Sequence, residues 1–173
     1  LEFKDAGDFI VTLGALNGCL GGSEYLRTIH GKIQGPIPHL NLELEMGIQE
    51  LCLDAIKKGI IKSAHDLSDG GLAVNVSESL IQSKAGLGAK LDVVRKLHNS
   101  ELLFGECQSV IIVTLEESAL YELILLAQNL DMHTQTIGRV NESNSLVIND
   151  QIDISRTKLE NAYFNSLEKI MTQ

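Results

Sequence analysis

One stretch of the sequence decides the fold: Ile61-Lys62-Ser63-Ala64-His65-Asp66-Leu67-Ser68-Asp69-Gly70-Gly71-Leu72-Ala73-Val74. It predicts a short strand over 61–65, a sharp acidic turn, and a helix that begins near Gly70. The helix is indicated by apolar residues at helical spacing on one stripe and polar residues opposite. The stripe comprises Leu72, Ala73, Val76, Leu80 and Ile81, and the opposite face comprises Asn75, Glu78 and Gln82.

The acidic turn has two chemical interpretations. A helix that begins after a polar turn presents free backbone N–H groups, which suit an anion such as phosphate. Asp66 and Asp69 would repel a phosphate unless a cation such as Mg²⁺ lay between them. This interpretation predicts phosphate or Mg-nucleotide binding, with His65 as a phosphate ligand or proton carrier. In the alternative, Ser68 or Asp69 caps the helix, the glycines form the turn and His65 hydrogen-bonds it.

Three blocks of sequence resemble one enzyme superfamily. Residues 65–72 resemble the signature of the carboxy-terminal domain shared by the aminoimidazole ribonucleotide synthetase superfamily, whose members use ATP. Within it, residues 20–26 (Leu-Gly-Gly-Ser-Glu-Tyr-Leu) and 103–109 (Leu-Phe-Gly-Glu-Cys-Gln-Ser) resemble the phosphoribosylformylglycinamidine synthase family. The order and spacing of the blocks fit that family over nearly the whole chain. Cys107 departs from the pattern, because the family usually has Ser there; a thiol is similar in size and a weak donor.

The resemblance implies that the chain is one domain, residues 1–173, of a longer ATP-dependent ligase of purine biosynthesis in the cytoplasm. In this family ATP activates the formamide oxygen of formylglycinamide ribonucleotide, and ammonia derived from glutamine then forms the amidine. The implied partners are the enzyme's amino-terminal domains, which supply the catalytic His and much of the ATP site, and a glutamine amidotransferase domain or subunit. Mg-ATP is implied for the whole enzyme. For this chain alone we expect no catalytic residue, no tightly bound cofactor and no turnover.

The resemblance also assigns candidate site residues. A nucleotide- or phosphate-binding face, or the face that meets the amino-terminal domains, is assigned to His65, Asp66, Ser68, Asp69, Gly70 and Gly71. Ligand contact is assigned to Glu106, Gln108 and Ser109; in the alternative, Glu106 and Gln108 cap the helical turn over 100–105 or hold the next strand. Metal ligands are not readable from the sequence.

Two further roles stay open at this point. The domain can be an auxiliary half that braces the enzyme and holds a non-reacting nucleotide. It can also belong to another superfamily member, such as aminoimidazole ribonucleotide synthetase, although the blocks at 20–26 and 103–109 argue against that member.

Composition excludes several other classes. The net charge of −9 disfavours a nucleic-acid surface, and it means that a phosphate site needs backbone N–H groups, a metal or a basic partner. No apolar run approaches the ~20 residues of a membrane span, and the first residues are too polar for a signal peptide. The cysteines at 19, 52 and 107 are odd in number and widely separated, which fits neither a disulfide framework nor a zinc motif. We expect Cys107 to be buried and inert.

The remaining pattern predicts alternating strands and helices. Strands are predicted over 8–13, 61–65, 87–91, 110–115, 132–140 and 145–148, and helices over 23–30, 41–58, from 70, over 100–105, 116–130 and from 155. Ser23, Asn41 and Ser155 are the predicted helix caps. The helix from 155 has a predicted apolar stripe of Leu159, Ala162, Tyr163, Leu167 and Ile170. The acidic segment 150–153 is expected to be a solvated turn. This alternation predicts an α/β (α+β) fold, an α/β/α sandwich with a mixed sheet and helices on both faces; the strand order is not readable.

Overall fold

The computed structural model describes residues 1–83, 86–94, 96–166 and 171. Its strands are β1 (Phe9–Leu13), β2 (Ser63–Asp66), β3 (Gly88–Leu91), β4 (Ile111–Leu115), β5 (Thr134–Asn141), β6 (Ser145–Ile148) and β7 (Ile152–Ser155). Its helices are α1 (Glu24–His30), α2 (Leu42–Lys57), α3 (Gly71–Ile81), α4 (Asn99–Phe104), α5 (Leu120–Asn129) and α6 (Arg156–Phe164).

The strands form one seven-stranded sheet in the order β2-β4-β1-β5-β3-β6-β7. Neighbouring strands are antiparallel except β3 and β6, which are parallel. The sheet is therefore mixed, as the sequence predicts.

Two apolar cores lie on opposite faces of this sheet. Successive strand residues point to opposite faces, so Ile10 of β1 joins one core and its neighbour Val11 joins the other. Leu72 of α3 and residues of α4 cover the first core, whereas Ile48 of α2 and Leu123 of α5 cover the second. The predicted α/β/α sandwich with helices on both faces is confirmed.

Local capping explains where the first two helices begin. The Ser23 hydroxyl accepts a hydrogen bond from the Leu26 N–H at 3.3 Å, and the Asn41 side chain accepts one from Leu44 at 3.1 Å. Each cap satisfies an N–H group that has no partner within its helix. Both caps are as predicted.

At the β7 end of the sheet, the predicted turn over 150–153 is wrong in part, and the predicted cap at Ser155 is confirmed in position but not in its hydrogen bond. The segment 150–153 is not only a turn: Ile152 begins β7, which pairs with β6 and buries one side of Ile152 and Ile154 against the first core. Ser155 occupies the cap position of α6, but its side chain makes no cap hydrogen bond. This strand has only four residues, Ile-Asp-Ile-Ser, and Asp and Ser are uncommon in strands. The sequence pattern therefore indicated a turn rather than a strand.

The final helix is anchored by a charged residue rather than by the predicted apolar stripe. Arg156 is buried, and its guanidinium donates to the carbonyls of Ile81 and Ser83 at the end of α3. Of the predicted stripe, Leu159 is half-buried, and the side chains at 162 and 163 are exposed. The remaining two, Leu167 and Ile170, lie outside the described residues.

A single ammonium group joins three carboxylates where β1 and β2 begin and β4 ends. Lys62 Nζ lies 2.7 Å from Asp5, 3.0 Å from Asp8 and 3.0 Å from Glu116. Burial lowers the pKa of Lys62, but the hydrogen bonds to the three carboxylates outweigh it, so the net pKa is raised above 10.5. Burial raises the pKa of Asp8, and Lys62 offsets this only in part.

Lys62→Met should lower the free energy of unfolding by about 2 kcal/mol, because it leaves the buried Asp8 carboxylate without its cation. The raised pKa means that the folded state holds the Lys62 proton more tightly than the unfolded chain does. The stabilisation is therefore complete below pH 10.5, the ordinary lysine value, and is lost as the pH rises through the folded-state pKa. Urea melts at pH 7 and at rising alkaline pH measure both effects.

Lys57→Met is the matched control, because Lys57 pairs with Asp54 on the exposed surface of α2. Such a pair contributes at most about 0.5 kcal/mol. Equal losses in the free energy of unfolding for Lys62→Met and Lys57→Met would show that the contacts of Lys62 with the three carboxylates do not stabilise the fold.

Candidate functional site

A cleft of about 470 Å³ lies where β2 ends and β4 begins, beside the first turns of α2. It brings together two groups of predicted site residues that are 37 or more positions apart in sequence. The acidic turn contributes Asp66, Ser68 and Asp69, and the segment before β4 contributes Glu106, Gln108 and Ser109. The cleft is also lined by Glu45 and Gln49 of α2.

The acidic turn is held by its own side chains and by α3. The Ser68 hydroxyl donates to the Asp66 carboxylate. The Asn75 side-chain amide donates to the Asp66 carbonyl at 2.7 Å. Asn75 is 3% exposed, so its predicted place on a polar, solvent-facing side of the helix is wrong. A buried amide is tolerated there because it satisfies a backbone carbonyl of the turn.

Neither Ser68 nor Asp69 caps α3, so that part of the alternative interpretation is wrong. The cap residue is Gly70, with φ +81°, and no side chain of the turn bonds to the first N–H groups. The carboxylate of Glu106 supplies the acceptor instead: its Oε1 accepts from the Gly70 N–H at 2.9 Å and from the Glu24 N–H at 2.8 Å. A single carboxylate oxygen, Glu106 Oε1, thus connects the beginnings of α1 and α3.

Glu106 therefore does not cap the helical turn before it. That role belongs to Glu101, which accepts the His98 N–H at 3.0 Å at the start of α4. The sequence contains no signal for the actual partners, since Glu24 and Gly70 are 82 and 36 positions away.

The second glycine of the turn is required by packing. Gly71 has φ +67°, and a Cβ atom there would lie 2.7 Å from the carbonyl oxygen of Gly105. Any side chain would push α3 away from the end of α4. Gly71 therefore serves the contact between two helices and does not line the cleft.

Ser109 and Glu45 form the opposite wall of the cleft. Ser109 has φ +58°, an uncommon conformation for a residue with a side chain, and its hydroxyl donates to Glu45 Oε2 at 2.6 Å. The sequence gives no indication of Glu45, because it meets Ser109, 64 positions away, only in the folded chain. Gln108 also lines the cleft.

His65 is turned away from the cleft. Its Nδ1 lies 3.2 Å from the Ser79 hydroxyl, and its Nε2 lies 3.6 Å from the Glu78 carboxylate, both on α3. The side chain does not hydrogen-bond the acidic turn in the described contacts, and it packs β2 against the helix.

Cys107 is 4% exposed, as predicted. Its sulfur accepts the N–H groups of Asn17 and Gly18 at 3.0 and 3.2 Å. A thiol in the place of the family's serine can therefore orient the loop after β1 as a hydroxyl acceptor would.

The cleft is strongly acidic. Four carboxylates line it, from Glu45, Asp66, Asp69 and Glu106, and none of the described residues that line it is Lys, Arg or His. No three His, Cys, Asp or Glu side chains within the described ranges are grouped so that they could hold a metal ion. The described residues therefore form no metal centre by themselves, and a Mg²⁺ at this cleft would take its remaining ligands from phosphates, water or another domain.

Comparison with known proteins agrees with this architecture. The family model described as AIR synthase related protein, C-terminal domain, matches residues 5–151. The chain belongs to that family. Within the described residues of this AIR synthase related domain, no helix combines the length and apolar character needed to cross a bilayer.

Two curated sequence relatives of the domain carry the same name, that of a subunit of one enzyme. The domain is 48% identical to the phosphoribosylformylglycinamidine synthase subunit PurL of Alkaliphilus metalliredigens over 116 residues, which are 67% of this chain and 15% of that protein. It is 36% identical to the subunit of the same name from Bartonella bacilliformis over 165 residues, 95% of this chain and 22% of that protein. The chain spans about a fifth of the length of these curated relatives.

Solved structures share the fold of the AIR synthase related domain. Phosphoribosylformylglycinamidine synthase II from Thermotoga maritima matches with a TM-score of 0.71 at 19% identity, over 91% of this chain and 26% of that one. The same enzyme complexed with FGAR matches with a TM-score of 0.74 at 21% identity, over 91% and 28%. A thiamine-monophosphate kinase from Stenotrophomonas maltophilia matches with a TM-score of 0.57 at 18% identity, over 85% and 51%.

Glu106→Ala should lower the free energy of unfolding by about 2 kcal/mol, because two backbone N–H groups lose a charged acceptor. Glu106→Gln keeps a carbonyl oxygen of the same reach and should cost about 1 kcal/mol or less, since only the charge is lost. Chemical denaturation of the three proteins measures the difference. Equal stability of the alanine and glutamine variants would show that the two hydrogen bonds do not connect the helices.

Proposed function

We propose that the chain is a carboxy-terminal domain of a phosphoribosylformylglycinamidine synthase, and that residues 1–173 form one domain of that longer enzyme. The observation that supports this is the identity of 36–48% to synthase subunits, which extends over 67–95% of the chain. Such an enzyme works in the cytoplasm. It takes ammonia from a glutamine amidotransferase domain or subunit; one similar Thermotoga maritima structure is of an assembly named PurLQS.

The reaction that we assign to the whole enzyme is an ATP-dependent ligation. ATP phosphorylates the formamide oxygen of formylglycinamide ribonucleotide, which turns a poor leaving group into a good one. Ammonia then attacks the same carbon and phosphate departs, giving the amidine, ADP and phosphate. Related Thermotoga maritima structures were obtained with ATP, ADP and FGAR, which supports this class of substrates.

Within that enzyme we assign a bracing role to this domain. Its cleft places four carboxylates around polar hydroxyl and amide groups. Such a surface repels the phosphates of a nucleotide unless cations compensate them. The start of α3 compensates them little, because the Gly70 N–H already donates to Glu106 and the Gly71 N–H to the Ser68 carbonyl.

The positive charge that a nucleotide requires must therefore come from elsewhere in the enzyme. One helix N-terminus contributes only about half a unit of charge. Arg27, which is close enough to Asp69 to interact with it electrostatically, is already paired with Glu24. We infer that Asp66, Ser68 and Asp69 lie at the face that meets the amino-terminal domains, and that any nucleotide is held between the two.

The isolated chain should show no measurable binding of Mg-ATP, because its cleft lacks the cations. It should also show no amidine formation with ATP, formylglycinamide ribonucleotide and glutamine or ammonia. Calorimetric titration and a turnover assay measure these, after a cooperative thermal melt has established that the chain is folded. Micromolar binding or measurable turnover by this chain alone would contradict the inference that the nucleotide is held between this domain and the amino-terminal domains.

Replacing the matching segment of the Alkaliphilus metalliredigens subunit with this chain should give an enzyme that retains ATP-dependent turnover. In that chimera, Asp69→Ala should weaken nucleotide retention about tenfold or more, because the shared face loses a carboxylate that would bind the cations compensating the nucleotide's phosphates. Equilibrium binding of labelled nucleotide measures the change. Asp153→Ala, at an exposed position of β7, is the matched control and should leave retention unchanged. A folded chimera without turnover would argue against the synthase assignment.

A further inference from the structure

Two places in the chain have a reactive side chain directly before a glycine. Asn17 is the only asparagine that a glycine follows, and Asp69 is the only aspartate that a glycine follows. In such a pair the glycine nitrogen can attack the side-chain carbonyl carbon of the residue before it and close a succinimide ring. Glycine favours this attack because it has no side chain to obstruct the approach.

The fold holds the N–H group of both glycines. The Gly70 N–H donates to Glu106 Oε1 at 2.9 Å, and the Gly18 N–H donates to Cys107 Sγ at 3.2 Å. Each hydrogen bond occupies the proton that the reaction must remove and keeps the nitrogen in place, so ring closure has to wait for the bond to open. Two adjacent residues before β4 therefore protect both reactive pairs.

The two protecting groups differ in strength. The carboxylate of Glu106 is charged, and hydrogen bonds to charged groups are roughly twice as strong as neutral ones. The sulfur of Cys107 is a weak acceptor, and it is shared with a second donor, the Asn17 N–H at 3.0 Å. The pair at Asn17 is therefore less firmly held than the pair at Asp69.

The side chain of Asn17 is accessible to the water that the reaction consumes. Asn17 is exposed in the loop after β1, and no residue that the structure describes holds its carboxamide by a hydrogen bond. An asparagine carboxamide also cyclises more readily than an aspartate carboxylate, because a carboxylate repels the electron-rich nitrogen. Of the two pairs, Asn17 and Gly18 combine the weaker protection with the more reactive side chain.

We propose that Asn17 is a site of spontaneous deamidation, and that the Cys107 thiol limits its rate by holding the Gly18 N–H. The Gly18 nitrogen gives up its proton and forms a bond to Asn17 Cγ, and the side-chain amide leaves as ammonia. Water then opens the succinimide. Attack at Cγ gives aspartate, and attack at the main-chain carbonyl gives isoaspartate, in which the main chain runs through Cγ. The reaction consumes water, releases ammonia and needs no oxidant.

The isoaspartate product does not fit the loop that contains it. It adds a carbon atom to the main chain just before Gly18, which is closely packed: a Cβ atom on Gly105 would lie 2.6 Å from Gly18 Cα. The carbonyl of the next residue, Cys19, accepts the Glu106 N–H at 2.8 Å. Displacing this loop disturbs the segment that carries Glu106. Modification of Asn17 therefore acts on the wall of the acidic cleft from outside it, and this inference does not depend on the proposed function.

Peptide mapping by mass spectrometry tests the proposal on the 173-residue chain, incubated at neutral pH with a thiol reductant. Asn17 should be converted faster than Asn144, which is also exposed but precedes a serine. Cys107→Ala should accelerate conversion of Asn17 about fivefold, because losing a typical neutral hydrogen bond raises the population of the open loop by about that factor. Cys107→Ser should not accelerate it, because a hydroxyl oxygen also accepts a hydrogen bond.

Cys52→Ala is the matched control. Cys52 is also a buried free cysteine, but it lies in the second core, so its truncation leaves the Gly18 N–H bonded and should not change the rate at Asn17. In guanidinium chloride the parent and Cys107→Ala should react at the same rate, because no fold holds the N–H. Circular dichroism melts establish that each variant is folded in buffer.

Two results would overturn the proposal. Conversion of Asn17 no faster than that of Asn144 would show that Asn17 is not a preferred site. Equal rates at Asn17 for folded Cys107→Ala and Cys52→Ala would show that the thiol does not limit the reaction. The effect on the loop has its own readout: the unfolding midpoint of the parent should fall during incubation, whereas that of Asn17→Gln, which forms the larger ring reluctantly, should stay constant.

Discussion

The two hydrogen bonds accepted by the Glu106 carboxylate determine the geometry around the cleft. They join the first residue of α1 and the turn before α3 to the segment that leads into β4. Because β4 is paired on both sides, with β1 and β2, this anchor is fixed by an interior strand of the sheet. The positions of Asp66, Ser68 and Asp69 follow from it, since their turn cannot move without breaking the bond to Gly70.

The same interaction explains the chemistry that the cleft can perform. A helix N-terminus that follows a polar turn can offer its N–H groups to an external anion. Here the Glu106 carboxylate already accepts the Gly70 N–H at the start of α3, and three further carboxylates line the open space. The domain has a shape like that of its nucleotide-using relatives but an electrostatic character that opposes unassisted phosphate binding. A bracing or shared-site role suits that character better than independent catalysis.

Much of the fold could be predicted from residue pattern alone. The apolar stripe of α3 is buried as predicted, because periodicity reports the face that packs. The caps at Ser23 and Asn41 are confirmed because a cap depends only on residues three positions away. The cap of α3 and the contact between Ser109 and Glu45 were beyond prediction, since both join segments distant in sequence. His65 was misleading for a similar reason: the residues that fix its ring, Ser79 and Glu78, lie on the following helix.

The position of β3 has a consequence for how the chain folds. The loop between β5 and β6 is only three residues long, a length that favours a local hairpin formed within microseconds. In the native sheet β3, which precedes them by more than 40 residues, is inserted between these two strands. Early closure of that hairpin would place β6 in the slot that β3 must occupy. The sheet is thus completed by pairing β3 with strands distant in sequence, which is expected to make folding slower than a local hairpin would allow.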